Sequence, residues 1–308
     1  MRLVACHRYV AKDRGDGAVF RGDRRFLAGE GTEFIKCHGL GNDFVVVDER
    51  DVGFMPPPEF TRWVCDRRIG VGGDQLLVLE PGRAPGATFR LRIYNVDGAE
   101  APACFNATRC VAWLVMEESG REQVVVETMG GLLAARREGA RRVSLKIGRP
   151  RWDWRAVPLA GPIEEVGASL ENGPLRDPVA VNVGNPHLVY FVPDRDALDV
   201  AALADPIQKG PGLPEQANIG VAEIAGAATL RLVVYERPGI LTHACGSGAC
   251  AATLAARLRG LISADAVTVE MPGGTLRVEV GERDELTLTG DVALSFSGCI
   301  PSSDTRPR

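Results

Sequence analysis

At 308 residues, 45% hydrophobic and 25% charged, with a formal net charge of −4, the chain has a soluble globular composition and enough length for two cores. The mildly acidic balance, with no sustained basic patch, excludes non-specific nucleic-acid binding. No apolar run approaches the roughly 18 residues of a membrane span.

Residues 1–31, MRLVACHRYVAKDRGDGAVFRGDRRFLAGEG, mix charge with glycine and lack the apolar stretch and cleavage site of a secretory signal. They are read as a flexible extension on a cytoplasmic protein. In that reducing compartment the eight cysteines are core residues, ligands or nucleophiles rather than disulfide partners. The first domain then begins at Thr32. FVVVD (44–48), LRIYN (91–95), QVVVET (123–128) and RRVSLKI (141–147) are short β-branched runs bounded by turn residues, and predict strands. CVAWLVMEE (110–118) has helical periodicity instead. GRPRWDWRAVPLAGP (148–162) has neither period and reads as a connector, so a second domain runs over 149–290. Within it CAATLAARLRG (250–260) predicts a helix stopped by Gly260. DVALSFSGCI (291–300) reads as a strand returning to the first domain.

Several phrases are written twice. ACFNATRC (103–110) recurs as ACGSGAC (244–250), and RIYNVDG (92–98) lines up with VVYERPG (233–239), both shifted by 141 residues. GNDFVVVD (41–48) parallels GNPHLVYFV (184–192), and VVVETMGGLL (124–133) parallels VTVEMPGGTL (267–276), both shifted by 143. Four landmarks in one order point to two homologous halves, with Gly130-Gly131 and Gly273-Gly274 as turns of equivalent hairpins. In each half a cysteine stands where the chain enters a helix. A helix N-terminus presents unpaired N–H groups and the positive end of its dipole, which lowers a thiol pKa and binds a carboxylate. Two such thiols on opposite faces of one α-carbon would suit inversion: one takes the proton and the other returns it from the far side. The pyridoxal alternative needs a Schiff-base lysine. None of the four lysines, Lys12, Lys36, Lys146 and Lys209, has an obvious cofactor context. Phosphate-binding glycine motifs are missing, and the cysteine spacings do not suit a metal. No cofactor and no metal are therefore expected.

FIKCHGLGNDFVVVD, GVGGDQLL, YNVDGAE, NATRC, VGNPH, PEQAN, YER and ACGSGACAA occur in that order from about Phe34 to Ile300. In these phrases the sequence resembles the diaminopimelate epimerase family. The resemblance implies an α/β (α+β) fold of two homologous domains, each a strand-rich, barrel-like shell around a central helix, with the active site in the interdomain cleft. It also implies cofactor-independent interconversion of LL- and meso-diaminopimelate in lysine and peptidoglycan synthesis. Carried over by position, Cys104 and Cys245 form the acid/base pair, assisted by His187 and Glu236. Asn42, Gln75, Asn95, Asn185, Asn218, Glu236 and Arg237 hold the substrate, and the amides of Phe105, Asn106, Gly246 and Ser247 bind its reacting carboxylate. Diaminopimelate is the implied partner, with neither nucleic acid nor membrane, and a homodimer is left open.

Two phrases depart from the family pattern. Phe105 and Ala107 stand where it has glycines, so Phe105 would be strained if its φ were positive and would crowd the carboxylate. PGILT (238–242) lacks the usual acidic residue before the threonine. A same-fold racemase of another amino acid, a binding homologue impaired by Phe105, and a dithiol redox protein remain the alternatives. Plain structural readings compete for single residues. Cys6, Cys37, Cys65, Cys110, Cys250 and Cys299 read as buried hydrophobes, His38 and His243 as structural or surface, and Glu236-Arg237 as a surface ion pair.

Overall fold

The computed structural model describes residues 31–51 and 55–301. Their elements run in chain order as β1 (Gly31–Gly39), β2 (Asn42–Asp48), α1 (Pro58–Cys65), β3 (Gln75–Pro81), β4 (Phe89–Asn95), β5 (Glu100–Ala101), α2 (Phe105–Ser119), β6 (Gln123–Thr128), β7 (Gly131–Gly139) and β8 (Arg142–Gly148). There follow α3 (Ile163–Val166), β9 (Val179–Asn182), β10 (Pro186–Phe191), α4 (Val200–Gln208), β11 (Asn218–Gly226), β12 (Thr229–Glu236), β13 (Ile240–Thr242), α5 (Gly246–Leu258), β14 (Ala266–Met271), β15 (Gly274–Val280), β16 (Leu286–Asp291) and β17 (Ala293–Pro301). The extension expected over 1–31, with Cys6, lies outside the described residues except for Gly31, which already opens β1. Among the described residues no helix is long and apolar enough to cross a membrane.

The chain divides into two compact units. The first holds residues 31–39, 43–143 and 292–301; the second holds 40–42 and 144–291. In the first, β2 pairs parallel with β3, β3 antiparallel with β4, β4 antiparallel with β5 and parallel with β6, and β6 antiparallel with β7. The second repeats the pattern with β10, β11, β12, β13, β14 and β15 in the same roles. Register repeats as well. Ile93 faces Ala101 and Val234 faces Thr242; Phe89 faces Val126 and Leu230 faces Val269; Val126 faces Leu133 and Val269 faces Leu276. The fold is two copies of one α+β design. β17 closes the first unit by running antiparallel to β1, with Thr32 opposite Ile300.

Each copy encloses one helix. Residues 105–116 of α2 and 246–256 of α5 are buried on every face, which only a helix inside a shell of other elements can be. α2 packs on β1, β4, β6 and β7; α5 packs on β9, β10, β11, β12, β14, β15 and β16. Glycine, serine and alanine at the start of α5 let these strands approach closely. Both helices end against a left-handed glycine, Gly120 at φ 68° and Gly260 at φ 67°, a conformation that a β-carbon penalises.

Each unit has a core cluster of its own. Phe34, Val45, Phe60, Val64, Leu76 and Tyr94 belong to one cluster in the first unit. Leu170, Leu188, Tyr190, Ile207, Ile219 and Tyr235 belong to another in the second. Cys37, Cys65, Cys110 and Cys250 are buried as expected, but Cys299 is exposed. Its neighbour Ile300 takes the inward face at 3% exposure, and alternation along β17 turns Cys299 outward. His38 is half-buried and His243 exposed.

Candidate functional site

In the first unit, Cys104 is the N-cap of α2, held extended at φ −144°, ψ 113°. Its carbonyl accepts both Thr108 N and Thr108 Oγ1 at 2.9 Å. Its thiol makes no capping bond to the helix and is half-buried. The amides that follow, on Phe105 and Asn106, belong to the first turn and have no intrahelical acceptor. Asn106 Oδ1 accepts Arg109 Nη2 at 2.8 Å. Gln75 and Asn95 sit directly opposite each other on β3 and β4, and Gln75 Nε2 donates to Asn95 Oδ1 at 2.9 Å. The loop before Gln75 is tied down by ions. Lys36 Nζ bonds Asp43 Oδ2 at 2.5 Å and also the Gly72 carbonyl, while Arg67 bridges Asp43 and Asp74. Burial pulls the Asp43 carboxyl upward, but hydrogen bonds from Arg67 and Lys36 outweigh it and hold the group well below the usual range.

Phe105 has a helical backbone and is absent from the positive-φ residues, so the strain that a replaced glycine would bring does not arise. Its ring is 8% exposed and counts among the buried hydrophobic residues. Phe105→Gly is therefore expected to keep turnover level or raise it while removing buried area, a loss of about 3–5 kcal/mol by analogy with Phe→Ala in cores. Thermal unfolding beside initial rates would show both effects; a large rate loss with an unchanged Tm would contradict them.

The second unit carries a denser arrangement. Cys245 is the N-cap of α5, at φ −129°, ψ 105°, and its sulfur folds back onto the helix to accept Gly248 N at 3.3 Å. Ser247 Oγ lies 3.4 Å from that sulfur and 3.0 Å from His187 Nε2. The same imidazole nitrogen is 3.0 Å from Asn185 Oδ1 and 3.4 Å from Asn218 Nδ2. Asn218 Oδ1 accepts the amide of Arg237 at 3.0 Å, and Thr242 Oγ1 donates to Glu236 Oε1 at 3.1 Å. Glu236 in turn hydrogen-bonds the Cys245 thiol. Seven of the sequence-predicted residues, with Gly246 as first residue of α5, thus form one connected patch. The exposed Arg237 guanidinium reaches the carbonyls of Glu215 and Gln216, both at 3.3 Å.

Burial sets the proton affinities here. His187 is fully buried, and burial followed by the Arg237 charge drives its pKa down to about 3, so the imidazole is neutral at working pH. Burial also pushes the Cys245 thiol well up. The Glu236 charge and hydrogen bond push the same way, and Ser247 and the Gly248 N–H pull back without prevailing. The lowering expected from a helix N-terminus is thus overridden at Cys245, which rests as a thiol.

Register places the two halves' candidate residues in corresponding seats. Phe44 faces Gln75 across β2 and β3, as His187 faces Asn218 across β10 and β11. Asn42 corresponds to Asn185, Asn95 to Glu236, Cys104 to Cys245, Phe105 to Gly246 and Asn106 to Ser247. Asn42 begins β2 but groups with the second unit, where Gly41 lies against His243. Two members of the frame escaped the sequence reading. Thr242 orients Glu236, and only the three-dimensional contact reveals it. Phe44 is the counterpart of His187, and the 143-residue shift between GNDF and GNPH already implied it.

The diaminopimelate epimerase family model matches residues 34–152 and 179–295. The chain belongs to the diaminopimelate epimerase family. The diaminopimelate epimerase of Phenylobacterium zucineum is 43% identical over 278 residues, covering 89% of this chain and 99% of that one. That of Erythrobacter litoralis is 44% identical over 275 residues, covering 89% and 98%. Among solved structures, a hydroxyproline epimerase from Agrobacterium vitis superposes with a TM-score of 0.63 at 14% identity, covering 89% of this chain and 93% of that one. A methylitaconate-delta-isomerase superposes at 0.56 and 14%, covering 91% and 98%. At such identities these likenesses concern the fold. Phe105 and PGILT, the two phrases that the sequence reads as departures from the family pattern, fall on the first residue of α2 and on β13 with the turn before it.

Proposed function

We propose that the protein interconverts LL- and meso-diaminopimelate without a cofactor, as a cytoplasmic step of lysine and peptidoglycan synthesis. The observation that carries this reading is the pair of cysteines standing as N-caps of the two buried helices in equivalent frames. One cysteine, as its thiolate, removes the α-proton and becomes a thiol. The other, starting as a thiol, gives its proton to the opposite face and is left as a thiolate, so the pair exchanges roles when the reaction runs backward. The amides of Phe105, Asn106, Gly246 and Ser247 stabilise charge that develops on the carboxylate as the proton leaves. Neutral His187 assists by holding Ser247 Oγ beside the Cys245 sulfur, and Glu236 assists as proton acceptor through its bond to Cys245. Asn42, Gln75, Asn95, Asn185, Asn218, Glu236 and Arg237 hold the substrate, several of them at its distal amino-acid end.

Incubating LL-diaminopimelate with the reduced protein in deuterated water should give meso product carrying one deuterium at the inverted carbon. Absence of both meso product and α-deuterium would refute the assignment.

A further inference from the structure

Each cysteine is approached by a short segment, and in both units the same group holds that segment. The Gly130 N–H donates to the Pro102 carbonyl at 2.8 Å, and the Gly273 N–H donates to the His243 carbonyl at 2.7 Å. Pro102 lies two residues before Cys104 and His243 two residues before Cys245. The donors are the first glycines of the β6–β7 and β14–β15 hairpin turns. Both turns need glycine for a steric reason. A β-carbon on Gly130 would stand 3.0 Å from the Pro102 oxygen, and one on Gly273 would stand 3.0 Å from the His243 oxygen and 1.9 Å from that of Leu40. The second glycine of the first turn is different in kind: Gly131 has φ +120° and nothing within 4 Å of its would-be β-carbon. Backbone freedom is what that position requires, whereas Gly130 requires close approach.

We infer that Gly130 and Gly273 are positioning residues, whose backbone N–H groups fix the height at which each cysteine enters its helix and hence where its sulfur stands. The inference deepens the two-thiol reading and rests on it. A hydrogen bond two residues from a reactive side chain limits the freedom of the intervening backbone. Proton transfer to carbon is sensitive to such freedom, since a misplacement of about 1 Å can cost about a hundredfold in rate. The repetition of the contact in both copies ties it to the cysteine segments rather than to either hairpin alone.

The test compares Gly130→Ala with Gly131→Ala in the full-length protein. The added methyl of Gly130→Ala must displace the Pro102 carbonyl by a few tenths of an ångström. We expect kcat to fall about tenfold with KM nearly level, and iodoacetamide to modify Cys104 at a changed rate while Cys245 keeps its own, as mapped by peptide mass spectrometry. Gly131→Ala strains the turn and lowers Tm but should leave both alkylation rates and kcat near those of the parent. If Gly130→Ala matches Gly131→Ala in kcat and at both cysteines, or if it alters both cysteines equally, the inference is overturned. The two-thiol reading has its own check: parent protein fully alkylated at Cys104 should give no deuterated meso product, and continued turnover would refute that reading whatever the glycine variants do.

Discussion

Cys104→Ala and Cys245→Ala should each lower epimerisation by about 10²–10⁴-fold, the usual worth of one positioned acid or base. The more telling result concerns exchange without inversion. With Cys104 removed, the remaining thiol can still take an α-proton from its own face and, after exchange with solvent, return deuterium to that face. One stereoisomer should therefore gain α-deuterium with its configuration retained, while the other stays unlabelled. Cys245→Ala should reverse which isomer is labelled. NMR of substrate recovered from deuterated water distinguishes the two. Neither change removes a large side chain, and the carbonyl of residue 104, which accepts both Thr108 groups, is backbone in either variant. Equal labelling of both isomers by both variants, or undiminished inversion, would exclude a two-thiol mechanism.

Glu236→Gln should separate thiol reactivity from catalysis. Burial is the leading cause of the raised Cys245 pKa, and the Glu236 charge comes next. Replacing carboxylate by amide removes that charge while keeping the shape and an oxygen for Thr242, which now bonds Oε1 at 3.1 Å. The sign follows directly. Without a neighbouring anion the thiolate forms at lower pH, and since the thiolate is the nucleophile, iodoacetamide should modify Cys245 faster at neutral pH. Epimerisation should move the other way, falling by about 10²–10⁴-fold, on the proposal that Glu236 accepts the thiol proton during turnover. Slower alkylation in the variant would show that Glu236 activates the resting thiol instead, and the order of proton transfers would need revision.

Much of this was legible in the sequence because the chain is written twice. The repeated phrases fix the order of strands in both units, and an Ala-rich run after each Ala-Cys fixes the buried helix. The two shifts, 141 and 143, have a structural meaning. They change between β3 and β4, whose connection spans 82–88 in one copy while its counterpart β11–β12 is joined through 227–228, and again after α2 and α5. Length differences collect in turns, where neither core nor site feels them. Motifs read one at a time could not show that Phe44 occupies the seat of His187, because Phe44 looks like any strand residue. Proton affinities were less legible still. A helix N-terminus is local and can be read from spacing, but the burial and the carboxylate that override it at Cys245 come from β12, nine residues back in the chain at Glu236 and adjacent only in the fold. Cys299 was misread for a similar reason, since a cysteine in an apolar strand is inward or outward according to a phase set by its partner strand.

A frame present in duplicate can be edited one copy at a time. One copy keeps titratable groups at the seats of His187 and Glu236, and the other has Phe44 and Asn95 there, groups that neither donate nor take protons at neutral pH. The duplicated frame is therefore asymmetric in chemistry though not in shape. Each copy keeps a cysteine at the start of its buried helix, but only the second surrounds it with an imidazole and a carboxylate, while the first sets a phenyl ring and an amide in those seats and a further ring, Phe105, next to its cysteine.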